Sequence, residues 1–235
     1  MTTINEIKTP TVRLVSTGDV PNLEIPIDCS YHMFLSHVWS TGKSKTHVIA
    51  RKLQLLLPKL SLWLDVDSLV HIDNLEDSVA ECAVFTIYYS KGYFRSQNCR
   101  RELYTSVELE KPTIVLYEVH ETRVLETLGN ECIAYCKEEP GPERILEHLM
   151  KNDPIQWLHD GSFSAAAIKR TFTCLLSHLP YYQDSKILDQ GLSVPGEIGP
   201  VSLPSAINGL VCDVNIGALG VAKEIQEMMS SSLEN

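Results

Sequence analysis

Ala83-Val-Phe-Thr-Ile-Tyr-Tyr89, then Ser90-Lys91-Gly92-Tyr93-Phe94, then Ser96-Gln-Asn-Cys-Arg-Arg-Glu-Leu-Tyr-Thr-Ser-Val-Glu-Leu-Glu110: this succession decides the fold. The first run is too continuously apolar to have a wet face, which predicts a strand covered on both sides. In the third segment Cys99, Leu103 and Val107 recur every four residues, one face of a helix. Strand, loop and helix follow each other directly. The succession puts one carboxylate, Glu102, in the first turns of a helix at the carboxyl end of a strand.

The same alternation extends outward in both directions. Tyr31-His-Met-Phe-Leu-Ser36 reads as a buried strand. Thr46 is expected to cap a helix whose Ile49, Leu53, Leu56 and Leu57 lie at helical spacing, with Pro58 closing it. Leu60-Ser-Leu-Trp-Leu64 is a second strand, ending at Asp65-Val66-Asp67, and a short helix is expected over about 75–82. Thr113-Ile-Val-Leu-Tyr117 is a fourth strand behind Pro112. Residues 118–142 are poorly patterned, followed by a helix at 143–151 and a short strand at 155–158. Ile168, Phe172, Leu175, Leu176 and Leu179 mark a last helix. Strands apolar on both faces and alternating with helices predict an α/β fold with a parallel sheet covered on both sides. Ligands bind such sheets beyond the carboxyl ends of the strands. That edge is formed by residues 36–45, 65–74 and 90–98.

Composition narrows the function. A net charge of −10 leaves no basic surplus for phosphates, so no nucleic acid or anionic membrane partner is expected. The clusters Lys43, Lys45, Arg51, Lys52 and Arg95, Arg100, Arg101 are read as solvated faces. Seven cysteines without regular spacing, behind a polar N-terminus without an apolar leader, fit a reducing cytoplasmic setting. Cys132 and Cys136 lack the second pair a zinc site needs. Asp65 and Asp67 lack a third ligand, so no metal is expected. No run is long enough to span a bilayer. Residues 1–28 read as an irregular leader and 181–209 as a linker with Pro195, Pro200 and Pro204. Residues 210–235 read as a short helical tail or the start of a further domain; the second is favoured.

Four motifs in order carry a family resemblance: Phe34-Leu35-Ser36-His37, Trp63-Leu64-Asp65-Val66-Asp67, Ser90-Lys91-Gly92-Tyr93-Phe94 and Asn98-Cys99-Arg100-Arg101-Glu102-Leu103. Over residues 29–180 the chain resembles a TIR (Toll/interleukin-1 receptor) domain, in style nearest those of oomycetes and algae. The resemblance implies a flavodoxin-like fold with a five-stranded parallel sheet. It also implies one of two roles: an NAD⁺-cleaving enzyme in a signalling or immune-type response, or an adaptor that works by TIR–TIR assembly. The enzymes carry a glutamate on the helix after the third strand, and Glu102 occupies that position. The expected function is therefore an NAD⁺ glycohydrolase, activated by self-association into a homo-oligomer. NAD⁺ is its substrate and no separate cofactor is expected.

The chemistry agrees with that implication. Nicotinamide in NAD⁺ is a cationic leaving group that departs neutral, so the acid–base pair of ordinary glycosidases reduces to one anion. Positive charge develops on the ribose as the bond breaks, and a fixed carboxylate stabilises it more than the ground state. Glu102 is the candidate, with an ordinary solvated helix glutamate as the plain reading. Ser36, His37 and Trp39 lie where the family contacts substrate. Trp39 or Phe94 would stack on nicotinamide, Asp65 and Asp67 would hold ribose hydroxyls, and Ser68 and Cys99 complete the expected substrate-binding set. Each has a plain alternative: loop histidine, core-capping tryptophan, turn-capping aspartates. The loop Ser68-Leu-Val-His-Ile-Asp-Asn-Leu75 lacks the glycine or aromatic that many relatives carry there, and its apolar residues suit docking on a neighbouring TIR domain. A nucleoside N-glycosidase, also a one-carboxylate enzyme, is a further reading.

Overall fold

The computed structural model describes residues 10–64, 75–118, 123–157, 161–183 and 185–195. The chain divides into two units, residues 1–197 and 198–235, and every described residue belongs to the first. Within it the elements run β1 (Arg13–Leu14), β2 (Tyr31–His37), α1 (Trp39–Leu56), β3 (Leu62–Trp63), α2 (Leu75–Ala80), β4 (Cys82–Tyr89), α3 (Gln97–Glu108) and β5 (Thr113–Tyr117). They continue with α4 (Val124–Tyr135), α5 (Pro142–Leu149), β6 (Ile155–Gln156), α6 (Gly161–Ser177) and β7 (Leu192–Ser193).

Five strands form one parallel sheet in the order β3-β2-β4-β5-β6. Numbered within that sheet the order is 2-1-3-4-5, the doubly wound flavodoxin-like arrangement. The alternation leads to the parallel sheet covered on both sides, and the family resemblance implies its five-stranded, flavodoxin-like form. The cause of the double cover is visible along β2, where successive residues point to opposite faces. Met33 and Leu35 join the core under α1 and α6, with Leu53, Phe172 and Leu176. Phe34 turns the other way, into the core formed with α2 to α5, beside Leu103, Leu128 and Leu149. β4 does the same, with Val84 and Tyr88 on one side, Phe85 and Ile87 on the other. Both faces are dry, so neither strand carries a polar alternation.

Three parts of the chain differ from the sequence reading. α1 begins at Trp39, not Thr46; Thr46 lies inside the helix and its hydroxyl donates back to the Gly42 and Lys43 carbonyls, each at 3.0 Å. Back-bonding of this kind lets a threonine sit mid-helix with its polar group satisfied. α4 occupies part of the stretch that showed no pattern. Its buried residues are Leu128, Glu131 and Cys132, and a glutamate on the inner face hides the apolar period. Thirdly, segments read as leader and linker contribute to the sheet-side core. β1 and β7 pair antiparallel, Arg13 with Ser193 and Leu14 with Leu192, and Val12, Leu14, Leu192 and Val194 are buried. Two-residue strands carry too little period to be recognised one at a time.

Candidate functional site

α3 is placed by its cap. Ser96, in extended conformation, accepts a hydrogen bond from the Cys99 amide, the standard way to satisfy an exposed helix-start donor. Its apolar side then docks on the carboxyl end of β2, where the Cys99 thiol donates to the His37 carbonyl at 3.4 Å. One turn further on, Glu102 faces the same strand end and is only 5% exposed. The Ser36 hydroxyl donates to its Oε2 at 2.5 Å, and the Tyr93 hydroxyl lies 2.6 Å from the same Ser36 oxygen. Strand, loop and helix, 66 residues apart at their extremes, thus meet at one carboxylate. Tyr93 carried no signal in the sequence beyond its place in the Ser90–Phe94 motif.

The loop holding Tyr93 is itself fixed. Gly92 adopts φ 93°, a left-handed conformation that suits glycine. Its amide donates to both oxygens of Glu131 on α4, at 2.9 and 3.0 Å, and the Tyr89 hydroxyl donates to Oε2 at 3.3 Å. Nothing in the sequence spacing marks Glu131 for this role.

Burial sets the local titrations. Desolvation, reinforced by the Glu102 charge, pushes the Cys99 thiol up to about 12, so it stays protonated at neutral pH. Tyr93, fully enclosed, is raised well above the ordinary phenol by burial first, then by Cys99 and Glu102. His37 is lowered, chiefly by burial; its Nδ1 lies 3.4 Å from the Leu35 carbonyl and its buried Nε2 has no hydrogen-bond partner.

The other expected site residues divide sharply. Ser36 and Cys99 stand directly beside Glu102, with their polar atoms engaged by protein. Phe94 is wholly buried in the core, edge-on to Tyr93 at 5.4 Å, so its ring offers no open face. Trp39 is 42% exposed, with the Lys43 ammonium 5.8 Å from its ring centre. It lines a cleft of about 550 Å³ along α1 together with Ser40, Thr41, Lys43, Ser44 and His47. Asp65, Asp67 and Ser68 lie outside the described residues. Of the basic clusters, Lys45 pairs with Glu118, Arg101 grips Glu76 on α2 through two hydrogen bonds at 2.8 and 3.0 Å, and Arg100 donates to the Phe94 carbonyl at 2.6 Å.

Strand order and covered faces define a flavodoxin-like α/β domain with a buried carboxylate at the carboxyl edge of its sheet. No family model and no curated protein matches the chain. Among solved structures it is similar to the TIR domains of the activated Roq1 resistosome, which directly recognises the pathogen effector XopQ. That likeness has 16% identity and a TM-score of 0.44, and covers 61% of this chain and 98% of the other. At those values the fold assignment rests on the strand order alone. Among the described residues, no helix is long and apolar enough to cross a membrane.

Proposed function

We propose that this chain carries a TIR-type domain that hydrolyses NAD⁺ at the nicotinamide–ribose bond, with Glu102 as the catalytic carboxylate, in cytoplasmic signalling of an immune type. The observation that carries the reading is a single glutamate held by Ser36 at the sheet edge where such folds bind ligands. A cationic leaving group requires no proton donor, and a carboxylate fixed before the reaction stabilises developing ribose charge without reorganising. Trp39, exposed at the start of α1 just after the carboxyl end of β2, is the candidate to stack on a substrate ring. Self-association into a homo-oligomer of TIR domains is the proposed means of activation.

One observation favours a second reading. Glu102 is nearly covered and its Oε2 is already committed to Ser36, which suits a structural glutamate in a non-catalytic TIR adaptor. Nicotinamide release from NAD⁺ by bead-clustered protein separates the two. Release that vanishes in Glu102→Gln, with folding intact, establishes the glycohydrolase. Wild-type protein that releases none when clustered is the adaptor.

A further inference from the structure

We propose that Tyr93 is a positioning residue for Glu102, acting through Ser36, and that Glu131 fixes the loop on which this depends. The inference rests on the glycohydrolase reading above. A serine hydroxyl has one proton to give. Ser36 spends it on Glu102 Oε2 at 2.5 Å, so the 2.6 Å contact with Tyr93 is made by the phenol donating to Ser36. Burial keeps that phenol protonated. The direction of the chain is therefore set: Tyr93 to Ser36 to Glu102. Successive hydrogen bonds polarise one another in a low-dielectric interior, and Ser36, at 2% exposure, sits in one.

Tyr93 holds its place because the loop does. Its amide donates to the Ser90 carbonyl at 3.0 Å, and the preceding Gly92 amide is clamped by both oxygens of Glu131. Glu131 is 8% exposed and accepts from an amide and a phenol of the strand and loop it faces. Its geometry aims at the loop rather than at solvent. From α4 through Gly92 and Tyr93 the contacts run without a break to the carboxylate, which Ser36 then orients toward one rotamer.

Steady-state kinetics on the full, clustered chain test this, with thermal denaturation as the folding check. Tyr93→Phe removes one oxygen from a site whose ring packing stays. Its kcat is expected to fall roughly ten- to hundredfold with KM within about twofold, the signature of a misplaced group rather than lost binding. Ser36→Ala is expected to fall similarly, and the double variant no further than the deeper single, because the two act as one unit. Wild-type kcat in Tyr93→Phe overturns the proposal, as does a double variant that falls by the product of the singles. A second readout needs no turnover. In protein labelled with ¹³C at glutamate carboxyls, the Glu102 resonance, assigned through Glu102→Gln, is expected to move in Tyr93→Phe and in Glu131→Ala. It should stay put in Glu126→Gln, an exposed control. An unmoved resonance in Tyr93→Phe overturns the chain of hydrogen bonds. A moved resonance in protein that releases no nicotinamide upholds that chain while the glycohydrolase reading falls.

Discussion

At Gly42 the side chain of any other residue would have to share space with the strand below. A Cβ built there lies 3.1 Å from the His37 Cβ and 3.5 Å from a Tyr88 ring carbon. Alanine is the better helix former by about 1 kcal/mol, yet the His37 Cβ belongs to a central strand and has little room to give. Gly42→Ala is expected to destabilise the domain by about 1–2 kcal/mol, read as a lower urea midpoint at unchanged slope. A rise in the midpoint would show that the strand yields. At Glu102, glutamine keeps an acceptor for Ser36 and nearly the same volume. Its melting temperature should remain within a few degrees of wild type while nicotinamide release is lost, a split that separates chemistry from folding. At this scale the sequence singled out Glu102 and Ser36, but Ser36 as a substrate contact and not as the partner of the carboxylate. Tyr93 was not legible as Glu102's support, because it lies 57 residues from Ser36 and no local spacing records that contact.

Helices and strands were readable where large apolar residues recur at the period of the element. β4, α3 and α6 stood out because large apolar residues recur along their buried sides, even with Thr86, Glu102, Ser106 and Thr171 buried among them. α4 buries Glu131 and did not, and α1 starts at Trp39 behind Val38, which makes no side-chain cap to announce it. The start of α3, by contrast, depends on one hydroxyl. Ser96→Ala removes the acceptor for the Cys99 amide and is expected to cost about 1 kcal/mol, measured by chemical denaturation. Since that cap also sets where Glu102 stands relative to β2, the same variant should lower nicotinamide release by more than its loss of folded protein explains. Equal losses in both would confine the cap to stability.

Among the described residues, burial lowers the pKa of four histidines, His32, His37, His148 and His178, with desolvation as the first cause in each. In the unfolded chain each takes a proton near 6.5; in the folded protein each resists until a lower pH. Below that value the unfolded state therefore binds more protons, and stability falls as pH falls. The slope reaches at most about 1.4 kcal/mol per pH unit for each histidine between its two pKa values. Urea midpoints at pH 7.5 and 5.5 should differ in that direction, and equal midpoints would refute it. Leu14→Ala, on β1, tests the pairing of the two ends. Leu14 is buried in the core beneath α1 and α6, so its truncation is expected to destabilise by about 3 kcal/mol, far more than an irregular leader would register.

That pairing has a mechanical consequence. Arg13, the first residue of β1, lies opposite Ser193, the last of β7, so a tension carried in through the preceding chain and out through the following chain loads both strands at the same end. The ladder then opens as a zipper does, one pair at a time, and never bears the load in parallel. A pull of this kind frees Val12 and Leu14 from beneath α1 and α6 before the five-stranded sheet feels it. In an optical trap the domain should yield in two steps, a small early extension at low force and then the sheet.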